Sequence, residues 1–180
     1  MTTVLAVSGS RRAGSNTLTA LEHVLDVTAD AGAETALLDL GSVDLPLFHP
    51  DVDDADAGEA AALLDRVRAA DAVVLGSPVY HGSYSSTLKN FHDYCSKTEY
   101  EDTAVGLVAV AGGGSYGPAL EHMRGTVRNV HGWVVPEQVG VRNASSRFRG
   151  GVPDDIADRL ASMTGQVLRA ADGLAASDRH

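Results

Sequence analysis

Val7-Ser8-Gly9-Ser10-Arg11-Arg12-Ala13-Gly14-Ser15-Asn16-Thr17 follows directly on the run Thr3-Val4-Leu5-Ala6. A strand-to-helix connection needs one glycine and a cap. This one spells out three serines, two glycines, two arginines, an asparagine and a threonine. A helix N-terminus presents unpaired N–H groups and a partial positive charge, and so attracts an anion. Ser10, Ser15 and Thr17 add hydroxyl donors, Gly9 and Gly14 let the backbone come close, and Arg11 or Arg12 supplies charge-assisted bonds. The stretch therefore predicts a phosphate loop between a first buried strand and a first helix. It lacks the Gly-Lys-Ser/Thr of the nucleotide-triphosphatase loop, and its glycines do not fall as the dinucleotide fingerprint GxGxxG.

Outward from that loop, the pattern alternates. Residues 3–8 read as a strand. Residues 15–31 read as a helix, with Leu18, Leu21, Leu25 and Thr28 at three-to-four spacing and Gly32 placed to stop it. Further strands are predicted at 34–40, 71–76, 103–111 and 133–141, and further helices at 59–70, 85–96, 117–131 and 153–176. Residues 41–58 read as irregular, 77–84 and 112–116 as loops, and the polar tail from about 172 as a frayed end. Five continuous apolar strands alternating with helices predict an α/β chain with a parallel sheet covered on both faces. In such sheets ligands bind beyond the carboxyl ends of the strands. That rule selects the loops after strands one, three and four, which are also the chain's most glycine- and hydroxyl-rich.

The 180 residues suit one domain, 1–180, with a full core. No apolar run approaches the roughly 20 residues of a membrane span, and no signal peptide is visible, so a soluble cytoplasmic protein is expected. A net charge of −10 argues against a nucleic-acid partner. Lysine occurs only at Lys89 and Lys97, which suits either an ordinary solvated acidic surface or adaptation to high salt. Cys95 is the single cysteine and reads as a packed residue. The histidines show no metal-binding spacing, so no metal site is expected. Glu121, Arg124 and Arg128 are expected to pair on a solvated helix face, and Trp133 to lie in the core or at a subunit interface.

The second loop, Gly76-Ser77-Pro78-Val79-Tyr80-His81-Gly82-Ser83-Tyr84, sets a stiffening proline and two tyrosines just past a strand. Here a family resemblance emerges. From Gly9 the first loop gives Gly-Ser-x-Arg-x-x-Ser-x-Thr. It resembles the Gly-Ser-x-Arg-x-x-Ser-x-Asn phosphate loop of the NAD(P)H-dependent FMN reductase family. Gly76-Ser-Pro-Val-Tyr, with Leu88-Lys89-Asn90 and Asp93, is similar to that family's Pro-x-Tyr…Leu-Lys-Asn-x-x-Asp segment, and Gly112-Gly113 to its third flavin loop. Thr17 and Ser86 depart from the pattern, standing near where Asn and Gly are common. The resemblance implies a flavodoxin-like three-layer sandwich, five parallel strands in order 2-1-3-4-5, with FMN at the switch point. It implies that Ser10, Arg12, Ser15, Asn16 and Thr17 hold the phosphate end. Pro78, Val79, Tyr80 and His81 would run along the isoalloxazine, and Gly112, Gly113 and Gly114 would approach its other edge. It also implies a homodimer or homotetramer, with NADPH or NADH as donor.

The chemistry so implied is hydride transfer from a nicotinamide to FMN and then to a small acceptor, such as a quinone or free flavin, with ping-pong kinetics. No side-chain acid or base is required, and His81 is the one candidate proton donor. Two rivals exist. A non-enzymatic electron carrier or FMN sensor shares the fold, although flavodoxin loops usually read Thr-x-Thr-Gly-x-Thr without the arginine. A serine hydrolase would use Ser115 in Gly113-Gly114-Ser115-Tyr116-Gly117, but the only histidine after its candidate acids is His180, the last residue.

Overall fold

The computed structural model describes residues 1–177. Strand β1 (Thr3–Ser8) alternates its side chains between two buried faces, so Val4 and Ala6 enter one core and Leu5 and Val7 the other. Helix α1 (Asn16–Asp30) starts where Ser15, in extended conformation, accepts a hydrogen bond from Leu18 N at 3.2 Å. Its buried stripe is Thr17, Ala20, Leu21, Val24 and Thr28. There follow β2 (Glu34–Asp39), α2 (Ala60–Arg68), β3 (Ala72–Tyr80), β4 (Ser83–Tyr84), α3 (Ser86–Tyr94), α4 (Lys97–Tyr100), β5 (Ala104–Val110), α5 (Gly117–Asn129), β6 (Trp133–Val134), β7 (Val139–Val141), α6 (Ala144–Arg147) and α7 (Asp154–Ser177).

The sheet runs β2-β1-β3-β5-β6, with β7 also on β5 and every one of these pairs parallel. This is the expected flavodoxin-like order. The strand count is not as expected: the sheet has seven strands, not five. The predicted fifth strand is two pieces, because Pro136 has no N–H for the ladder and residues 136–138 leave the edge of β5 after Val135 N has donated to Val105 O at 3.0 Å. The predicted loop at 77–84 is a hairpin. β3 runs on to Tyr80 and turns through His81 (φ 51°) and Gly82 (φ 80°) into antiparallel β4. Two left-handed residues in succession make the turn that suits a twisted two-strand ribbon.

The predicted helix 85–96 ends early, at Tyr94, and a short helix that was not predicted, α4, follows it. Ser96 opens α4 with a reciprocal cap, its hydroxyl facing Thr98 N while Glu99 accepts from Ser96 N at 2.6 Å. Glu99 is buried, and burial alone would raise its pKa. Hydrogen bonds from Ser96 and the Arg68 guanidinium (2.6 Å) outweigh that and hold it below the ordinary value. At the other end of the chain, α7 continues to Ser177, so residues 172–177 of the predicted frayed tail extend a regular helix and the rest of it lies outside the described residues. No helix among the described residues is long and apolar enough to cross a membrane.

Two cores lie on either face of the sheet. One joins Leu5, Val7, Leu64, Leu88, Phe91 and Met123 under α2, α3 and α5; the other joins Val4, Ala6, Leu21, Leu160, Met163 and Val167 under α1 and α7. Each such fully buried side chain contributes roughly 1.5–3 kcal/mol. Two glycines let helix starts press onto strand ends. A Cβ on Gly76 would stand 2.7 Å from Leu21 Cδ1, and one on Gly9 would stand 2.7 Å from Leu88 Cβ. The N-termini of α1 and α3 are thereby drawn against the carboxyl edge of the sheet.

Candidate functional site

A network of buried serines ties the first two loops together at that edge. Gly9 N donates to Gly76 O at 2.8 Å. Ser85 Oγ donates to Gly9 O at 2.7 Å, Ser85 N to Ser77 Oγ at 2.8 Å, and Ser77 Oγ to Pro78 O at 2.8 Å. Such a satisfied network holds two chain segments in one geometry at low dielectric. Gly9, expected to admit a ligand, instead admits Leu88 and Ser85.

Above this floor opens a cleft of about 330 Å3, within the range of cofactor clefts, roughly 300–1,000 Å3. Every predicted contact except His81 and Gly114 lines it. From the first loop come Ser10, Arg12, Ser15, Asn16 and Thr17. Ser10, Ser15 and Thr17 are buried, and the backbone N–H groups of Asn16 and Thr17 fall in the first helical turn, where no intrahelical acceptor exists. Ser15 Oγ uses a lone pair on Leu18 N and keeps its O–H for another partner. Gly14 is left-handed (φ 66°), which turns the loop over the helix start. Arg12 is exposed, its N–H donating to Ser10 Oγ at 3.3 Å, and its guanidinium has no carboxylate in ion-pair range among the described residues.

Pro78 and Val79 form the opposite wall, with Tyr80 at its rim, 55% exposed. His81 sits at the hairpin turn, exposed and outside the cleft. Gly112 and Gly113 close the third side, and a Cβ on either would meet nothing within 4 Å. Gly114 lies just beyond them, left-handed at φ 55°.

Three lining residues were not anticipated: Val110, Ala144 and Ser145. The last two belong to a fourth loop, brought in by Ala144 N donating to Ala111 O at 3.0 Å and Ala111 N donating to Val141 O at 2.8 Å. The carboxyl-end rule that selected the other loops applies equally after strand five, where Arg142-Asn143-Ala144-Ser145-Ser146 is again rich in hydroxyls. Asn143, left-handed at φ 52°, redirects the chain there.

Among the described residues, Ser115 has no partner for a hydrolytic centre. It is exposed, its Oγ accepts from Gly117 N at 3.3 Å, and no histidine is hydrogen-bonded to it among the described residues. His180 lies outside the described residues.

Comparison with known proteins gives a consistent picture. Residues 2–146 match the model of the family described as NADPH-dependent FMN reductase. An NADPH azoreductase of Bacillus sp. (strain OY1-2) is 34% identical over 137 residues, 76% of this chain and 74% of that protein. An FMN-dependent NADPH-azoreductase of Staphylococcus saprophyticus is 31% identical over 145 residues, 77% of this chain and 76% of that protein. Among solved structures, the flavoenzyme NAD(P)H:(acceptor) oxidoreductase FerB of Paracoccus denitrificans superposes with a TM-score of 0.81 at 21% identity, covering 96% of this chain and 98% of FerB. A flavodoxin from the domain Archaea gives 0.67 at 13% identity, over 94% of this chain and 99% of its own. These two likenesses establish the fold.

Proposed function

From the premise that the chain belongs to the NADPH-dependent FMN reductase family, we propose that its cleft binds FMN and that it is an FMN-dependent NAD(P)H oxidoreductase serving a small acceptor such as a quinone or free flavin. One observation carries the reading. Segments that lie far apart in the chain, the loop after β1, the end of β3 and the loop after β5, converge on one cleft with a capped helix N-terminus at its base.

The residues fit the group. Ser10, Ser15 and Thr17 hydroxyls and the Asn16 and Thr17 N–H groups would hold the phosphate, with Arg12 adding a charge-assisted bond at the rim. Pro78 and Val79 would lie along the flat ring and Tyr80 beside its open face. The backbone of Gly112, Gly113 and Gly114 has no side chain to keep a ligand edge away, and offers N–H donors where negative charge gathers. Bound FMN supplies the hydride-accepting and hydride-donating chemistry. The protein's part is to place the ring, leave one face open to nicotinamide and acceptor in turn, and stabilise charge with preorganised donors. No side-chain acid or base is needed, and His81, the one candidate proton donor, stands at the hairpin turn outside the cleft. The whole chain acts as one FMN-binding unit. A homodimer or homotetramer is the expected assembly, and a cytoplasmic location suits the single buried thiol and the nicotinamide donor.

The test is spectroscopic. The purified protein is loaded with FMN, freed of excess, and scanned before and after NADPH or NADH. Retained flavin that bleaches is the expected result. Retained flavin that stays yellow would indicate a carrier or sensor, and no retained flavin would assign the cleft to another anion.

A further inference from the structure

A second cavity opens at the other end of the sheet, at the amino ends of β5 and β6. It measures about 520 Å3, and Glu101, Asp102, Arg124, Arg128, His131 and Trp133 line it. The flavin chemistry makes no use of it. The expected pairing of Arg124 and Arg128 with Glu121 does not occur: neither guanidinium has a carboxylate within ion-pair distance among the described residues. Glu101 is instead paired with Lys97 at 2.8 Å. Trp133 is not in the core, being 59% exposed at the cavity wall.

His131 adds a sharper observation. Helix α5 ends with Gly132 N donating to Val127 O at 3.1 Å and His131 N donating to Arg128 O at 3.1 Å. This is the Schellman arrangement, whose left-handed position usually carries glycine. Here His131 occupies it, at φ 71°. The glycine stands one place later, where a Cβ would come within 2.6 Å of Val127. An imidazole is thus held in an unfavourable backbone conformation on the wall of a cavity that already holds two unpaired guanidiniums. Arg128 alone would be an ordinary complement to a helix C-terminus. Arg124, a turn further in, is not explained that way.

We propose that this cavity is a second ligand site, taking a nucleoside phosphate. The base stacks on Trp133. Arg124, Arg128 and His131 hold the phosphate. The Asp102 and Glu101 carboxylates accept from the ribose hydroxyls. Inorganic phosphate would leave Trp133 unused, and an aromatic carboxylate would offer Asp102 no hydroxyl to accept from.

Trp133 is the only tryptophan in the chain, so its emission reads the site directly. FMN-loaded protein is titrated with AMP, with adenosine and inorganic phosphate as separate arms. AMP is expected to change the emission saturably below ~1 mM, with each fragment at least ~10-fold weaker. The double variant Arg124→Ser/Arg128→Ser should weaken AMP by ~10-fold or more while retaining its FMN and its bleaching by NADPH. No emission change up to ~1 mM AMP, or a response that survives in the double variant, overturns the proposal. So does sedimentation showing that Trp133→Lys dissociates an oligomer, since the face would then belong to a second copy of the chain.

Discussion

Ser15 performs two tasks with one oxygen: it caps α1 and lines the cleft. The two tasks separate by substitution. Aspartate also caps helices and favours the N-terminal dipole, so Ser15→Asp is expected to fold with unchanged or slightly raised stability. It sets a carboxylate against the phosphate, however, and FMN affinity should fall by ~100-fold or more, a like-charge penalty of ~3 kcal/mol. Ser15→Ala should lose about 1 kcal/mol of stability with the cap, and should bind FMN only ~10-fold more weakly for want of one donor. Urea unfolding of the flavin-free protein and flavin titration check both; an Asp variant with native FMN affinity would reject the phosphate assignment. Ser15 was readable in the sequence because capping and anion binding are local. Gly9 and Gly76 were not. What constrains them is Leu88 on one side and Leu21 on the other, contacts that exist only once the sheet is assembled.

Elements were legible where periodicity is strong and illegible where a few residues decide. The order of strands and helices followed from apolar patterning. The short helix α4 was written in Ser96-Lys97-Thr98-Glu99, a capping signature at the end of the helix predicted over 85–96. The hairpin at His81-Gly82 lacks the usual Asn-Gly signal, so nothing local announced it. At the end of α5, relieving the left-handed His131 by His131→Gly should stabilise the protein by about 0.5–1 kcal/mol, measured by urea unfolding. No gain would mean that the imidazole makes compensating contacts. Helix α3 carries a pH dependence. His92 is buried with Nε2 lacking a hydrogen-bond partner, its ring centroid 5.3 Å from that of Tyr100. Burial, chiefly, lowers its pKa below the ordinary 6.5 of histidine. Below about pH 6.5 the unfolded chain takes up a proton that the folded chain refuses, so stability present above that pH is lost as pH falls. Unfolding free energy should therefore decline from about pH 6.5 towards 5, and His92→Phe should flatten the decline by up to ~1.4 kcal/mol per pH unit. Equal slopes in the two proteins would remove His92 from the account.

At the scale of the molecule, the sheet gathers four chain segments at one end and a tryptophan-walled cavity of mixed charge at the other. The first three loops were legible because the carboxyl-end rule and their composition agree. The fourth follows a strand predicted to end at Val141, as β7 does, but its stretch Arg142-Asn143-Ala144-Ser145-Ser146 holds no glycine and so lacks the composition that marks the other three. Since FMN would bind only the folded chain, its addition at ~100 times its Kd should add ~2.7 kcal/mol of stability. For a domain of this size that is a rise of about 5–10 °C in Tm, absent in Ser15→Asp; calorimetry with and without flavin decides, and an unmoved Tm would count against the cleft as the flavin site. Gly112 and Gly113 extend this thought. A methyl group added to either would touch no other part of the protein, so folding exerts no steric hold on those two positions. A side chain there would meet only what binds from outside the polypeptide. They act as a gauge built into the chain, registering how closely a guest approaches without registering how well the host is made.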